Sequence, residues 1–159
     1  MVAPAIVLGL RGVQVVFSII VLGLTAYLVD RYNGPYGWNW SPHSVNFMLF
    51  TSVWTLLAVA YLVLTPTRFP RAAHKFAIGA VEFLTMLFWF AAFVAVAVRW
   101  GDSWWGYGGK GTFYGCGVAA IVFSAFLWLT FVATTVLAAL HIRRTPRNDN
   151  SPPPDMAGV

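Results

Sequence analysis

The chain carries little charge: only 9% of its 159 residues are Asp, Glu, Lys or Arg, whereas 59% are hydrophobic. A soluble domain usually has about a quarter of its residues charged, because its surface has to meet water. The shortage of charge therefore argues against an ordinary soluble domain and indicates that much of the exterior faces lipid. The formal net charge of +5 comes from basic residues in short segments between apolar runs. That placement argues against the continuous basic face of a nucleic-acid-binding domain.

Residues that carry redox or metal chemistry are also scarce. The single cysteine, Cys116, excludes an intrachain disulfide and a redox cycle between two cysteines of this chain. The histidines His43, His74 and His141 lie in connections or at the end of a run, so no two of them face each other as haem ligands would. The sequence has no metal-ligand spacing and no nucleophile beside a base. We therefore expect no cofactor, no metal and no catalytic residue, and we predict that the chain is not an enzyme.

The sequence does have long runs of apolar residues. About twenty apolar residues in a helix span the roughly 30 Å hydrocarbon core of a bilayer. Four runs qualify, at residues 13–29, 45–64, 76–98 and 118–140. The first run is short, and residues 3–10 are apolar enough to extend it past Arg11. Because backbone groups in lipid must pair internally, each run predicts a helix. The predicted fold is an all-α, four-helix transmembrane bundle with short loops.

The remaining segments predict the ends of the domain and the connections. Residues 142–159 are polar and rich in proline, which is typical of a disordered tail, so the membrane domain is expected to be residues 1–141. Residues 99–117 combine several glycines with Trp and Tyr, which predicts a turn-rich loop. Trp and Tyr favour the headgroup layer of a membrane.

The lysine and arginine count around the helices predicts the orientation. One side has seven basic residues, Arg11, Arg68, Arg71, Lys75, Arg143, Arg144 and Arg147, and the other has three, Arg31, Arg99 and Lys110. The positive-inside rule then places both termini and the second connection in the cytosol. All of the seven except Arg11 are candidate contacts for anionic lipid headgroups. The attraction of such a headgroup layer contributes about 1 kcal/mol of binding free energy for each basic residue. Setting the topology alone is an alternative role that would also explain them.

Two charges lie inside apolar runs, Arg11 near the start of the first and Glu82 about two turns into the third. Both fall on the same side of the membrane at similar depth, so an ion pair between them would lower the cost of each. One interpretation is an interhelical clamp, or an arginine that extends to the headgroups while the carboxylate binds water or a hydroxyl. The other is a proton or ion relay. The clamp is favoured because no chain of polar groups continues from Glu82 along its helix.

Small residues recur at spacings that let helices approach closely. They are Gly79, Ala91 and Ala95 in the third run and Gly117, Ala120 and Ser124 in the fourth. We expect them to pack the four helices of one chain together. An interface between copies of the chain is the alternative, and both roles can hold at once.

Three segments of the chain each have a recognisable feature. The first has an early arginine and a Gly-Leu pair near its middle, and the second has an acidic residue before an aromatic and alanine-rich stretch. The third begins with a cysteine that is followed by small residues. They are residues 11–29 (with Arg11, Gly23 and Leu24), 81–98 (with Glu82) and 116–134 (with Cys116). In order and spacing they resemble the MARVEL-domain proteins, specifically the fungal branch that includes the non-classical export protein family. Relatives often carry two cysteines around the third connection, and here only Cys116 matches.

The resemblance implies a non-enzymatic organiser of plasma-membrane microdomains, such as eisosomes or regions rich in sterol and sphingolipid. Its implied partners are membrane lipids (sterol, sphingolipid or anionic headgroups), further copies of itself and other membrane proteins, and not nucleic acid. Two alternatives come from the residues. An oligomer of the chain would form a channel or transporter with Glu82 near its cytosolic mouth, or the chain would be an accessory subunit of a membrane complex.

Overall fold

The computed structural model describes four stretches of the chain, residues 4–34, 41–68, 75–107 and 111–144. Each contains one long helix: α1 (Pro4–Asn33), α2 (His43–Arg68), α3 (Lys75–Tyr107) and α4 (Thr112–Arg144). All four are long and apolar enough to cross a membrane. The shortest candidate span has 22 residues. At about 1.5 Å per residue it measures about 33 Å, enough for a bilayer core. The predicted all-α bundle is confirmed.

The helices extend beyond the apolar runs from which they were predicted. α1 begins at Pro4 and so includes Arg11, as the apolar residues before it allowed. The prediction of a turn-rich loop at residues 99–117 was wrong in extent, because α3 continues to Tyr107 and α4 begins at Thr112. Glycine lowers helix stability by about 1 kcal/mol, whereas an unpaired backbone group near lipid costs several. Helical pairing therefore continues to Tyr107, and Gly111, with a positive φ of 114°, directly precedes the start of α4.

The expected tail is only partly within the described residues. α4 continues through Arg144, so residues 142–144 are helical. Residues 145–159, most of the segment expected to be disordered, lie outside the described residues. The division of the chain at residue 141 therefore stays a prediction.

The four helices run up and down around a square. α1 packs against α2 and α4, and α3 packs against the same two helices. The backbones of the diagonal pairs, α1 with α3 and α2 with α4, make no close contact within the described residues. One end of the bundle, called here the termini end, contains the start of α1, the end of α2, the start of α3 and the end of α4. The opposite end is called the far end.

Aromatic rings fill three of the four seams between neighbouring helices. Lipid is as apolar as the side chains, so helices in a membrane associate through close packing and hydrogen bonds. Ring pairs contribute about 0.5–1.5 kcal/mol beyond their buried area. In the fourth seam, between α1 and α2, the Ser18 hydroxyl donates a hydrogen bond to the Ser52 carbonyl at 2.9 Å. The clusters are Phe47, Phe50, Trp54 and Phe88 between α2 and α3; Phe90, Phe93 and Trp128 between α3 and α4; and Phe17, Phe123 and Phe126 between α1 and α4.

A tryptophan closes the bundle near the far end. Trp100 of α3 is 4% exposed and stacks on Phe113 of α4 with ring centres 5.9 Å apart. Its Nε1 donates to the Tyr114 carbonyl at 3.3 Å. Phe113 also meets the ring of Tyr32 from α1 edge-on at 5.2 Å. The indole lies against Gly117, where a Cβ atom would collide with it. The far end is therefore held by aromatic packing that depends on one glycine.

Candidate functional site

The first two members of the site lie on one face of α1. Arg11 and Gln14 are three residues apart, and residues at that spacing are neighbours on a helix surface. The Arg11 Nη1 donates to the Gln14 Oε1 at 2.9 Å. Both side chains point into the bundle, with 8% and 0% of their surface exposed. The amide thus fixes one branch of the guanidinium.

The other branch of the guanidinium crosses the bundle diagonally. Arg11 Nη2 forms an ion pair and hydrogen bond with Oε1 of Glu82 on α3. The Glu82 side chain is 1% exposed. The backbones of α1 and α3 are not in close contact, so the length of the arginine side chain makes this link.

A threonine of α4 closes the contacts into a ring. The Thr134 hydroxyl donates to the second carboxylate oxygen, Oε2 of Glu82, at 2.7 Å. The same hydroxyl oxygen lies 3.5 Å from Nε2 of Gln14, which donates to it. Arg11, Gln14, Thr134 and Glu82 therefore form a closed hydrogen-bonded cycle, called here the polar ring. Because the charges are paired and each carboxylate oxygen accepts a hydrogen bond, the ring satisfies groups that would be costly to bury singly.

The polar ring lies in the half of the bundle nearer the termini end. Arg11 is in the first third of α1 and Glu82 in the first third of α3, whereas Thr134 is in the last third of α4. Because α1 and α3 start and α4 ends at this end, and because their side chains are hydrogen-bonded, the three helices bring these residues to about the same level.

Deeper in the bundle, hydroxyl groups bind their own helices. Thr25, Thr51, Ser52, Thr55 and Ser124 each donate to the carbonyl of the residue four positions earlier, at 2.6–2.9 Å. A hydroxyl has one proton to donate, so these groups can only accept further hydrogen bonds. A proton relay needs groups that donate onward. The described interior therefore lacks a continuous donor chain from the polar ring to the far end.

Two threonine hydroxyls accept hydrogen bonds from tryptophans across the interface between α2 and α3. Trp89 of α3 donates from Nε1 to the Thr55 hydroxyl of α2 at 2.9 Å. In the reverse direction, Trp54 of α2 donates to the Thr85 hydroxyl of α3 at 3.1 Å. Trp89 is fully buried. These reciprocal bonds fix the register of the two helices one to two turns from Glu82.

The structure separates the small residues that were expected to pack helices. Gly117, Ala120 and Ser124 of α4 are buried inside the bundle, and Gly79 of α3 is half-buried. Ala91 and Ala95 of α3 are exposed on the outer face, among large apolar side chains. These two alanines are therefore available to lipid or to another protein.

The candidate headgroup contacts gather at the termini end as far as the backbone is described. α2 ends at Arg68, α3 begins at Lys75, and α4 ends with Arg143 and Arg144. Arg71 and Arg147 lie outside the described residues.

Sequence reasoning identified two of the four ring members and missed Gln14 and Thr134. Gln14 carried a readable signal, because it is the one amide in the first apolar run and lies three residues after Arg11. Thr134 did not. It is one of two adjacent threonines, and only the rotation of α4 decides that Thr134 is 4% exposed and faces Glu82.

No group of three or more metal-ligating side chains occurs among the described residues. The polar ring has a carboxylate, but its two oxygens already accept hydrogen bonds from Arg11 and Thr134. Chemically the arrangement is a satisfied, buried ion pair that joins three helices.

Comparison with known protein families identifies the family of the chain. The MARVEL family, described as a membrane-associating domain, matches residues 4–137, which include α1 to α3, most of α4 and the whole polar ring. No curated protein and no solved structure shows a significant match to the chain.

Proposed function

Because the chain belongs to the MARVEL family of membrane-associating domains, we propose that it is a non-enzymatic organiser that acts through lateral contacts in the bilayer. Four helices that can each span a membrane make it a multi-pass membrane protein. The observation that carries the proposal is the division between a buried ion pair whose hydrogen bonds are satisfied within the bundle and a described exterior that is mostly apolar along the helices. Such a molecule offers its surface, rather than an internal cavity, to other molecules.

The interior supports this role because the polar groups of the ring bind one another. The ion pair of Arg11 and Glu82 is enclosed by Gln14 and Thr134. The outer faces carry exposed aliphatic side chains on every helix, and exposed aromatic ones on α2, α3 and α4. On α3, Ala91 and Ala95 interrupt them with small residues, which let another helix approach closely.

We further propose a specific branch of the family, a membrane region and a set of lipid contacts for the chain. Within the family, the segments around Arg11, Glu82 and Cys116 support a place near the fungal non-classical export proteins. The organised region is then a plasma-membrane microdomain, such as an eisosome or a patch rich in sterol and sphingolipid. The positive-inside rule places the termini end in the cytosol. There the basic residues hold anionic headgroups, and the exposed faces support self-association or binding to other membrane proteins. The basic residues are Arg68, Arg71, Lys75, Arg143, Arg144 and Arg147.

The headgroup contacts are tested by imaging a fluorescent fusion of the full chain. Neutralising the second connection with Arg68→Gln, Arg71→Gln and Lys75→Gln is expected to disperse a patchy distribution, because about 1 kcal/mol is lost per basic residue. A matched control neutralises Arg31 and Arg99, at the other ends of α1 and α3. Protease protection of a tag on each terminus verifies that the topology is kept. Unchanged patches in the first variant would refute the headgroup contacts.

The organising role itself is tested by flux. Purified protein in liposomes is expected to pass no ions or protons above an empty-liposome control, since the buried hydroxyls donate to their own helices. Flux that is abolished by Glu82→Gln would overturn the proposal in favour of an oligomeric channel. Purification in mild detergent tests the accessory-subunit alternative, which requires a stoichiometric partner.

A further inference from the structure

The first part of α1 is buried in an unusual way. Among its described side chains from Ile6 to Phe17, only Arg11 and Gln14 are buried. The apolar side chains of this stretch are half-buried or exposed, including Leu8 at 63%. Further along, α1 buries Ser18, Val21, Thr25 and Leu28 against the bundle. Residues 6–14, called here the α1 arm, are therefore attached to α3 and α4 chiefly through the polar ring.

This attachment is different in kind from ordinary packing. An exposed apolar side chain gains nothing by moving from lipid to a helix surface, because both are apolar. Gly9 and Gly12 of the arm have no neighbour within 4 Å of a Cβ position, so no close contact requires a glycine there. Whether the arm stays docked is then decided mainly by the ring, because its hydrogen bonds hold the arm and a charge left unpaired in it would be costly.

The charges of the ring respond differently to loss of their partner. A carboxylate left alone in lipid can take up a proton and become neutral, whereas a guanidinium keeps its charge. Arg11 lies in the first third of α1, toward the termini end. A long basic side chain near a helix end can extend its charge to the headgroups if the helix is free to move.

We propose that the α1 arm is a latch with two states that are set by the charge on Glu82. With Glu82 ionised, the ring is closed and the arm is docked between α2 and α4. When Glu82 takes up a proton, the charge on Arg11 has no counter-charge in the interior. The arm then swings away from α3 and α4, and Arg11 reaches the headgroups at the termini end.

The sign of the pH dependence follows from the groups that face the ring. α1 contributes Arg11, α3 contributes Glu82, and α4 contributes the neutral Thr134. The described titratable side chains of α4 are Tyr114 and Cys116, near the far end. On α2 the titratable group in the same half of the bundle is the half-buried Tyr61. Among the described side chains, Glu82 is therefore the one that belongs to the ring and can take up a proton on acidification. The docked state is present above the pH at which Glu82 takes up a proton, and it is lost as the pH falls through that value.

The test measures distances between pairs of spin labels by electron paramagnetic resonance. The protein carries Cys116→Ser and is reconstituted in vesicles of phosphatidylcholine and phosphatidylserine. One pair, Leu8→Cys with Val136→Cys, reports the arm against α4. A control pair, Ala26→Cys with Val118→Cys, reports the far half of the same two helices. All four positions are exposed.

Three ring variants separate a charge-set latch from simple damage. Glu82→Gln leaves the Arg11 charge unpaired, and we expect the docked fraction of the arm pair to fall at least about tenfold, since a charge in lipid costs more than the corresponding 1.4 kcal/mol. Arg11→Gln leaves a carboxylate that can be neutralised, so the arm stays docked. The double variant with both changes has no charge and restores docking. A merely structural role predicts that the double variant is at least as disturbed as either single one.

Acidification of the protein without ring variants is the second measurement, and it does not depend on whether Glu82→Gln folds. A longer distance is expected to appear at low pH in the arm pair and not in the control pair. The proposal is overturned if the arm pair keeps one distance at all pH values, if both pairs change together, or if Glu82→Gln stays docked.

Discussion

A single added methyl group at Gly117 tests how the far end is packed. In Gly117→Ala the new Cβ collides with the buried indole of Trp100, near Nε1, Cε2 and Cζ2. The indole cannot move without disturbing its stack on Phe113 and its hydrogen bond to the Tyr114 carbonyl. The variant is therefore expected to be destabilised, even though alanine is a better helix former than glycine.

The magnitude follows from the contacts at risk. An aromatic pair contributes about 0.5–1.5 kcal/mol, and an interhelical hydrogen bond in a membrane about 0.6 kcal/mol. Their loss agrees with the roughly 1–3 kcal/mol that overpacking of a core usually costs. Alanine offsets about 1 kcal/mol of this through its helix propensity. The expected net loss in the free energy of unfolding is about 0–2 kcal/mol.

A matched control removes the propensity term. Gly115 lies in the same helix, two residues earlier, and a Cβ there meets nothing within 4 Å. Gly115→Ala has the same propensity gain of about 1 kcal/mol without the collision. The difference between the two alanine variants therefore isolates the clash, at about 1–3 kcal/mol.

The assay is reversible unfolding of the purified protein in mixed micelles with increasing dodecyl sulfate, followed by circular dichroism. Adding Trp100→Phe to Gly117→Ala provides room for the methyl group, so the two changes together should be less destabilising than the sum of the single ones. Equal stabilities for Gly115→Ala and Gly117→Ala would refute the packing described for the far end.

Three further predictions use the same unfolding assay. Thr134→Val should lower stability by about 1–3 kcal/mol, because the other members of the ring lose the hydroxyl to which they are hydrogen-bonded. Thr135→Val should be neutral or stabilising, because the buried hydroxyl oxygen of Thr135 has no partner. Equal effects of the two changes would contradict the ring. Trp89→Phe should lower the free energy of unfolding by at least about 0.6 kcal/mol, and Thr55→Val should lower it by a similar amount. The two changes should be coupled in a double-mutant cycle. Strictly additive effects would show that the hydrogen bond between these residues contributes nothing. Gly23→Ala, at an open and exposed position, should raise stability by up to about 1 kcal/mol, and a loss there would indicate a contact outside the described chain.

The fold was readable from the sequence because a bilayer permits few structures. Long apolar runs must pair their backbone groups internally, so hydropathy alone predicts the number of helices and their class. The ends of the helices were less readable. Trp100 and Gly117 lie in a segment whose composition is typical of a loop, yet both are helical and buried together. Composition does not report a contact between residues 17 positions apart.

The site was readable in part for a similar physical reason. A charge within an apolar run is conspicuous because lipid penalises it, so Arg11 and Glu82 were found and a pair between them was expected. Thr134 was not found because threonine is tolerated anywhere in a membrane helix. Its role depends on the rotation of α4 about its axis, and in the same way the rotation of α3 decides that Ala91 and Ala95 are exposed. The rotation of a helix is fixed by packing against its neighbours, which no single run of sequence specifies.

The spacing of the polar ring along the chain has a consequence for biosynthesis. Glu82 follows Arg11 by 71 residues, and Thr134 follows Gln14 by 120. At a synthesis rate of 5–20 residues per second, the counter-charge is made roughly 4–14 s after the arginine. During that interval Arg11 has to wait at the membrane surface or within the insertion machinery, since its partner does not yet exist. The first helix therefore cannot reach its final position before the third, and the order of assembly is built into the positions of four residues.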